Sequence, residues 1–197
     1  MKKYLFLGDS ITDADHLFEP SGLGNGYVSL LARALSPCDY RIVNRGHNGF
    51  TSEQLLRLLH RDGIEPDWDL STILIGVNDI PVEVYTSHNR IPGEFYEYYD
   101  KILAFLTSHT KAHLILMEPF LFDHPQEYIP WHSLVVKESN IIQELALKYH
   151  ADFIFTDQYL REKADREGAD HITRDGIHLT HRGNQLLADL WLSACHK

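Results

Sequence analysis

Four separated stretches of this sequence carry the residue types that acyl transfer needs. GDSIT, residues 8–12, places Ser10 between Asp9 and Thr12. NRGHNGFTS, residues 44–52, carries Gly46 and Gly49. GVND, residues 76–79, supplies Gly76, Asn78 and Asp79, and RDGIHLTHRG, residues 174–183, sets Asp175 three positions before His178. A serine hydroxyl is a weak nucleophile until a base takes its proton. Histidine suits that task because it titrates near the operating pH. A carboxylate close by in the chain can hold the imidazole tautomer and stabilise the imidazolium. Attack on an ester carbonyl creates an oxyanion, for which the Ser10 N–H, the Gly49 N–H and the Asn78 amide are three candidate donors. Glycine at 49 and 76 would let backbone approach closely. Asp79 is placed to orient Asn78, and Asp9 to support the nucleophile from behind.

Each stretch alone has a plainer reading. Gly, Asp and Ser are ordinary turn formers, and Gly46 and Gly49 could be simple turn glycines. Asn78 or Asp79 could cap a helix. His178 is one of thirteen histidines, and His171, His178 and His181 beside Asp175 invite a metal reading. No HExxH is present, so no catalytic metal is expected. SGLGNGY, residues 21–27, lacks the spacing and the lysine of a phosphate loop and reads as a flexible turn that borders the site and caps the next helix. The absence of GxSxG argues against the nucleophile elbow of α/β-hydrolases.

The elements that must position these residues show in the apolar pattern. Five short apolar or β-rich runs, at Lys3–Leu7, Tyr40–Val43, Ser71–Ile75, His113–Met117 and Asp152–Phe155, read as strands. Helical spacing appears over Tyr27–Leu35, Ser52–His60, Glu94–Leu106, Leu134–Tyr149 and His181–Cys195. A further short helix is expected between the fifth strand and Asp175. Alternating strands and helices predict a parallel sheet covered on both faces, a three-layer α/β/α sandwich of flavodoxin-like, five-stranded type. Sites in such sheets form beyond the carboxyl ends of the strands. Ser10, Gly49 and Asn78 follow the first three strands directly, and Asp175 and His178 come after the fifth. The longest irregular stretches are Asp13–Gly26, Ile80–Gly93 and Pro119–Trp131.

The 197 residues favour a single domain, 1–197. With 44% hydrophobic and 23% charged residues the chain reads as globular rather than disordered. A net charge of −10 without any Lys/Arg block makes nucleic acid and anionic membranes poor partners. No stretch reaches transmembrane length, and the four apolar residues before Gly8 are too few for a signal-peptide core, so a cytoplasmic protein without integral membrane association is expected. Cys38 and Cys195 show no metal spacing and read as free thiols, although a disulfide stays open.

As a set, FLGDSIT, NRGHNG, GVND and DGIHLTHRGNQLLADLW resemble, in order, the blocks of the SGNH (GDSL-type) hydrolase family, across nearly the whole chain. The resemblance implies a flavodoxin-like fold and cofactor-free, metal-free ester hydrolysis through an acyl-enzyme. It implies Ser10 as nucleophile, Asp175 and His178 as its partners, and Ser10, Gly49 and Asn78 as the oxyanion hole. GLGNGYVSLL and LILMEPFLFD look similar to the intracellular branch that deacetylates xylo-oligosaccharides and related sugars. A short acyl, chiefly acetyl, ester of a small molecule is the expected substrate. Short-chain carboxylesterase, thioesterase and lysophospholipase activities, or a non-catalytic carbohydrate-binding protein, are the alternatives. Phe120, Phe122, Tyr128 and Trp131 either stack on a sugar, line an acyl pocket or pack in the core. Relatives include homo-oligomers, so a homo-oligomer is compatible with the resemblance.

Overall fold

The computed structural model describes residues 1–86 and 90–195. Strands β1 (Lys2–Gly8), β2 (Tyr40–Gly46), β3 (Leu70–Leu74), β4 (His113–Met117) and β5 (Asp152–Ile154) form one parallel sheet in the order β2-β1-β3-β4-β5. This is the flavodoxin-like order, with its switch point between β1 and β3. The register pairs Gly8 with both Gly46 and Leu74, so the carboxyl ends of the three strands stand level.

Alternation along each strand sends neighbouring side chains to opposite layers. Leu5, Leu7, Ile73, Leu114 and Leu116 meet α3 (Ser52–Asp62), α5 (Gly93–His109) and α6 (His132–Tyr149). Tyr4, Phe6, Leu74, Ile115 and Met117 meet α2 (Tyr27–Ala34), α7 (Thr156–Glu167), α8 (Ala169–Ile172) and α9 (His181–Cys195). Trp191 of α9 is fully buried against Tyr4 and Phe6, and its Nε1 donates to Thr72 Oγ1 at 3.0 Å. Two shorter helices matter for the site: α1 (Ser10–Asp13), which opens on Ser10, and α4 (Asp79–Thr86).

Several boundaries differ from expectation for identifiable reasons. Strand β2 runs on through Asn44 to Gly46, because the buried Asn44 amide is fully employed. Its Nδ2 donates to Thr12 O at 2.6 Å and Leu23 O at 3.0 Å, and its Oδ1 accepts from Gly46 N at 2.9 Å. Strand β5 stops one residue early, leaving Phe155 exposed. Part of the irregular stretch expected over 80–93 is α4, which tolerates Pro81 in its first turn, where backbone N–H groups have no helical partner. Residues 87–89 of that stretch lie outside the described residues. The short helix expected before Asp175 is two helices, α7 and α8. Cys38 and Cys195 are both unbonded.

Candidate functional site

Strand β1 delivers the chain into a tight turn at its carboxyl end. Asp9 caps α1, its Oδ1 accepting from Ile11 N at 3.0 Å, and the helix begins on Ser10. Burial pushes the Asp9 carboxyl up to about 7, against the lowering pull of the Ile11 N–H. The turn after α8 brings His178 to the same place, with its Nε2 3.0 Å from Ser10 Oγ. On the far side of the ring, Nδ1 lies 2.7 Å from Asp175 Oδ2. Asp175 Oδ1 in turn accepts from Ile177 N at 3.0 Å and His178 N at 2.7 Å, which fixes the carboxylate in its plane. Burial raises the Asp175 carboxyl, but these hydrogen bonds outweigh it and hold the group below the usual range. A serine, an imidazole and an ionised carboxylate thus form one hydrogen-bonded chain. The arrangement is open to solvent, with the His178 and Asp175 side chains 46% and 52% exposed.

The next two strand ends stand level with the end of β1. His47 N donates to Gly8 O at 3.0 Å, which anchors the 47–50 turn to the end of β1. Gly49 sits in this turn at φ +75°, and a Cβ there would meet nothing within 4 Å. Glycine is therefore needed here for its backbone angle, not for close approach as the sequence suggested. Asn78 Nδ2 donates to Phe50 O at 3.0 Å, which leaves its second N–H without a partner among the described residues and docks GVND against the same turn. At Gly76, by contrast, φ is +144° and a Cβ would come within 2.9 Å of Glu138 Oε2, so close approach does apply.

Asp79 does not bond Asn78 as expected. Its carboxylate accepts from Ser52 N and Ser52 Oγ, each at 2.8 Å, and so ties the start of α4 to the start of α3. Thr51 begins α3 with a reciprocal cap, accepting from Gln54 N while Gln54 Oε1 accepts from Thr51 N at 2.9 Å. Such caps are worth about 1 kcal/mol. Asp79 thereby fixes the loop that holds Gly49 against the strand that precedes Asn78. Burial raises its carboxyl to about 6, with Ser52 and Arg90 pulling the other way.

Two features escaped the sequence reading. Glu138, on α6, is fully buried behind Gly76, and neither of its carboxyl oxygens has a hydrogen-bond partner among the described residues. Burial, reinforced by the charges of Asp79 and Asp9, pushes it well above the glutamate range. The cavity at Ser10 and His178, about 180 Å³, is lined largely by polar side chains, including Asn25, Asn48, Arg174 and Asn184. Asn184 is locked by accepting from Tyr27 N at 2.9 Å. Arg174 directly precedes Asp175, the one local sign that it belongs here.

The aromatics of the fourth loop divide. Phe120 and Phe122 are buried in the layer of α2 and α9 and do not line this cavity; they are core residues. Phe122 N donates to Gly176 O at 2.9 Å, so the loop's backbone braces the Asp175–His178 turn. Trp131 is buried against Tyr85 and Tyr128, with ring centroids 5.8 and 4.7 Å away. Tyr128 is half-buried and close to Gly176, where a Cβ would lie 3.0 Å from its Cδ2. No group of three or more His, Cys, Asp or Glu side chains arranged to hold a metal ion occurs among the described residues. No helix among them is long and apolar enough to cross a membrane.

Comparison with known proteins assigns the chain. Residues 6–186 match the model of the GDSL-like Lipase/Acylhydrolase family. The chain belongs to that family. It is 28% identical to an acetylxylan esterase of Geobacillus stearothermophilus, over 97% of this chain and 92% of the relative. The structure of a catalytic mutant of that organism's acetylxylan esterase Axe2 superposes with a TM-score of 0.86 at 23% identity, covering 100% of this chain and 94% of the other. A protein described as a GDSL-like lipase from Parabacteroides merdae superposes at 0.89 and 24% identity, covering 98% and 94%. These likenesses establish the shared α/β fold, and family membership establishes a carboxylic ester hydrolase.

Proposed function

We propose that the protein is a metal-independent serine esterase that removes short acyl groups, acetyl first among them, from hydroxyls of sugars or xylo-oligosaccharides. The observation that carries this reading is the hydrogen-bonded chain Ser10–His178–Asp175, at 3.0 and 2.7 Å. In this mechanism Ser10 Oγ attacks the ester carbonyl carbon as its proton passes to His178 Nε2. Charge that develops on the carbonyl oxygen is met by the backbone N–H groups of Ser10 and Gly49 and by the uncommitted N–H of Asn78. Collapse breaks the bond to the alcohol, which leaves with the proton from His178. Water then attacks the acyl-enzyme, giving its proton to His178 Nε2, which returns it to Ser10 Oγ as the carboxylic acid departs. Asp175 holds the ring with its proton on Nδ1 throughout and balances the imidazolium charge.

The acetyl preference is supported by the likeness to an acetylxylan esterase and by the size and polarity of the cavity. An added CH₂ gains about 0.8 kcal/mol only where apolar protein buries it. A series of p-nitrophenyl esters is therefore expected to show higher kcat/KM for acetyl than for octanoyl, alongside acetate release from acetylated xylo-oligosaccharides. Rates that climb steadily to long chains, with no sugar deacetylation, would assign the protein to lipid esters instead.

A further inference from the structure

The cavity at Ser10 does not end at the reacting groups. It adjoins a second cavity of about 270 Å³, and the two share Asn25, Arg174 and Asn184 as common walls. The second cavity adds Ser29, Arg33 and His181. Its charge stands out against the rest of the molecule. The chain carries 28 acidic against 18 basic residues, yet no carboxylate lines this cavity and two arginines do. Most other arginines are neutralised: Arg41, Arg45, Arg57, Arg61, Arg90, Arg161 and Arg182 each stand within 4 Å of a carboxylate, and the exception, Arg166, is exposed on α7 and lines neither cavity.

Arg174 and Arg33 have no such partner among the described residues. The carboxylates near Ser10 lie in the first cavity, and the better buried of them, Asp13, is already engaged by His16 Nδ1 at 2.5 Å and Asn48 N at 3.1 Å. Arg174 is also held in place. Its backbone N–H donates to His178 O at 2.8 Å, so its side chain springs from the same rigid turn as His178. Among the remaining polar groups, the buried ones are set by internal bonds: Ser29 Oγ donates to Gly26 O, and Asn184 Nδ2 to Thr180 O, each at 2.9 Å.

We propose that the alcohol part of the substrate carries an anionic group, a carboxylate or a phosphate, held by Arg174 and Arg33 in the cavity that continues from Ser10. This inference rests on the esterase reading and names the class of ester that the site selects. Guanidinium groups match the planar fork of a carboxylate and the oxygens of a phosphate, and no carboxylate lining the second cavity competes for them. A sugar acid or sugar phosphate bearing an O-acetyl group has the required parts, an ester and an anion separated by a ring.

The test uses matched substrates. Acetylated methyl glucuronoside and acetylated methyl xyloside differ at C5, where the first bears a carboxylate. Acetylated glucose 6-phosphate and acetylated glucose differ by a phosphate. Acetate release by the wild type at low ionic strength is expected to favour the anionic member of at least one pair by about tenfold or more in kcat/KM, and the favoured pair identifies the anion. Salt should shrink the ratio by screening, and R33Q/R174Q should bring it close to one. A wild-type ratio near one for both pairs, or a ratio that survives the double substitution, overturns the proposal while p-nitrophenyl acetate hydrolysis leaves the esterase reading standing. Failure to cleave any ester, p-nitrophenyl acetate included, overturns the esterase reading and this inference with it.

Discussion

Replacing Asp175 by Asn should damage turnover more than replacing it by Ala. Asp175 Oδ1 accepts two backbone N–H groups, so an asparagine would keep its amide oxygen there. Its NH₂ would then take the place of Oδ2 and donate to His178 Nδ1, 2.7 Å away in the wild type. That hydrogen bond forces the ring proton onto Nε2, the atom that must accept from Ser10. The loss of charge is common to both variants. At this separation the attraction between carboxylate and imidazolium is about 1.5 kcal/mol in bulk water and about 6 kcal/mol at an effective dielectric of about 20. Because both side chains are about half exposed, solvent screening brings the value to about 3 kcal/mol, or about 10² in rate. The asparagine adds one hydrogen bond to break, about 1–1.5 kcal/mol, for a total loss of about 10³. Steady-state kcat on p-nitrophenyl acetate, with far- and near-UV circular dichroism to confirm folding, reads both. An Asn variant milder than the Ala variant, or either within about threefold of wild type, would refute the tautomer argument.

Asn78→Ala should lower kcat by about 10²–10³ with little effect on KM, since its free N–H matters most when charge develops on the carbonyl oxygen; a change confined to KM would make Asn78 a ground-state contact. The buried carboxyls predict a stability that falls as pH rises. Asp9 and Asp79 titrate at about 7 and about 6 in the folded protein against 3.8 as their ordinary value, and Glu138 lies well above 4.5. The folded state therefore keeps protons that the unfolded chain has lost, and each group costs up to about 1.4 kcal/mol per pH unit between its unfolded and its folded pKa. Urea midpoints should drop between pH 5 and 8, and drop less in Glu138→Gln; parallel curves for the two proteins would contradict the assignment of Glu138.

Much of this architecture was legible because it is local. Strands β1, β3 and β4 are short apolar runs, and α3, α5, α6 and α9 carry apolar residues at helical spacing, so pattern alone locates them to within a few residues. Helix α7 was hard to see because among its twelve residues only Thr156 and Leu160 are buried. The continuation of β2 through Asn44 depends on carbonyls up to 32 positions away. The site divides the same way. Ser10, Gly49, Asn78, Asp175 and His178 follow strands or end turns, where a parallel sheet gathers its polar residues. Asp79 was read as a partner of its neighbour Asn78, yet it bonds Ser52 on another helix. For Phe120 and Phe122, in a long loop, ligand contact and core packing were equally open; their side chains enter the core. Glu138 and Arg33 gave no local signal at all, since their relation to the site exists only after α6 and α2 have docked.

In the mechanism proposed, Ser10 carries the acyl group during turnover. Acid quenching of the enzyme during steady-state hydrolysis of p-nitrophenyl acetate, followed by digestion and peptide mass analysis, observes that species directly. One acetyl group is expected on the peptide containing Ser10, assigned to that side chain by fragmentation, and none in a folded, inactive Ser10→Ala variant. Wild-type turnover by Ser10→Ala, or an acetyl group formed at a competent rate on a different residue, would contradict it.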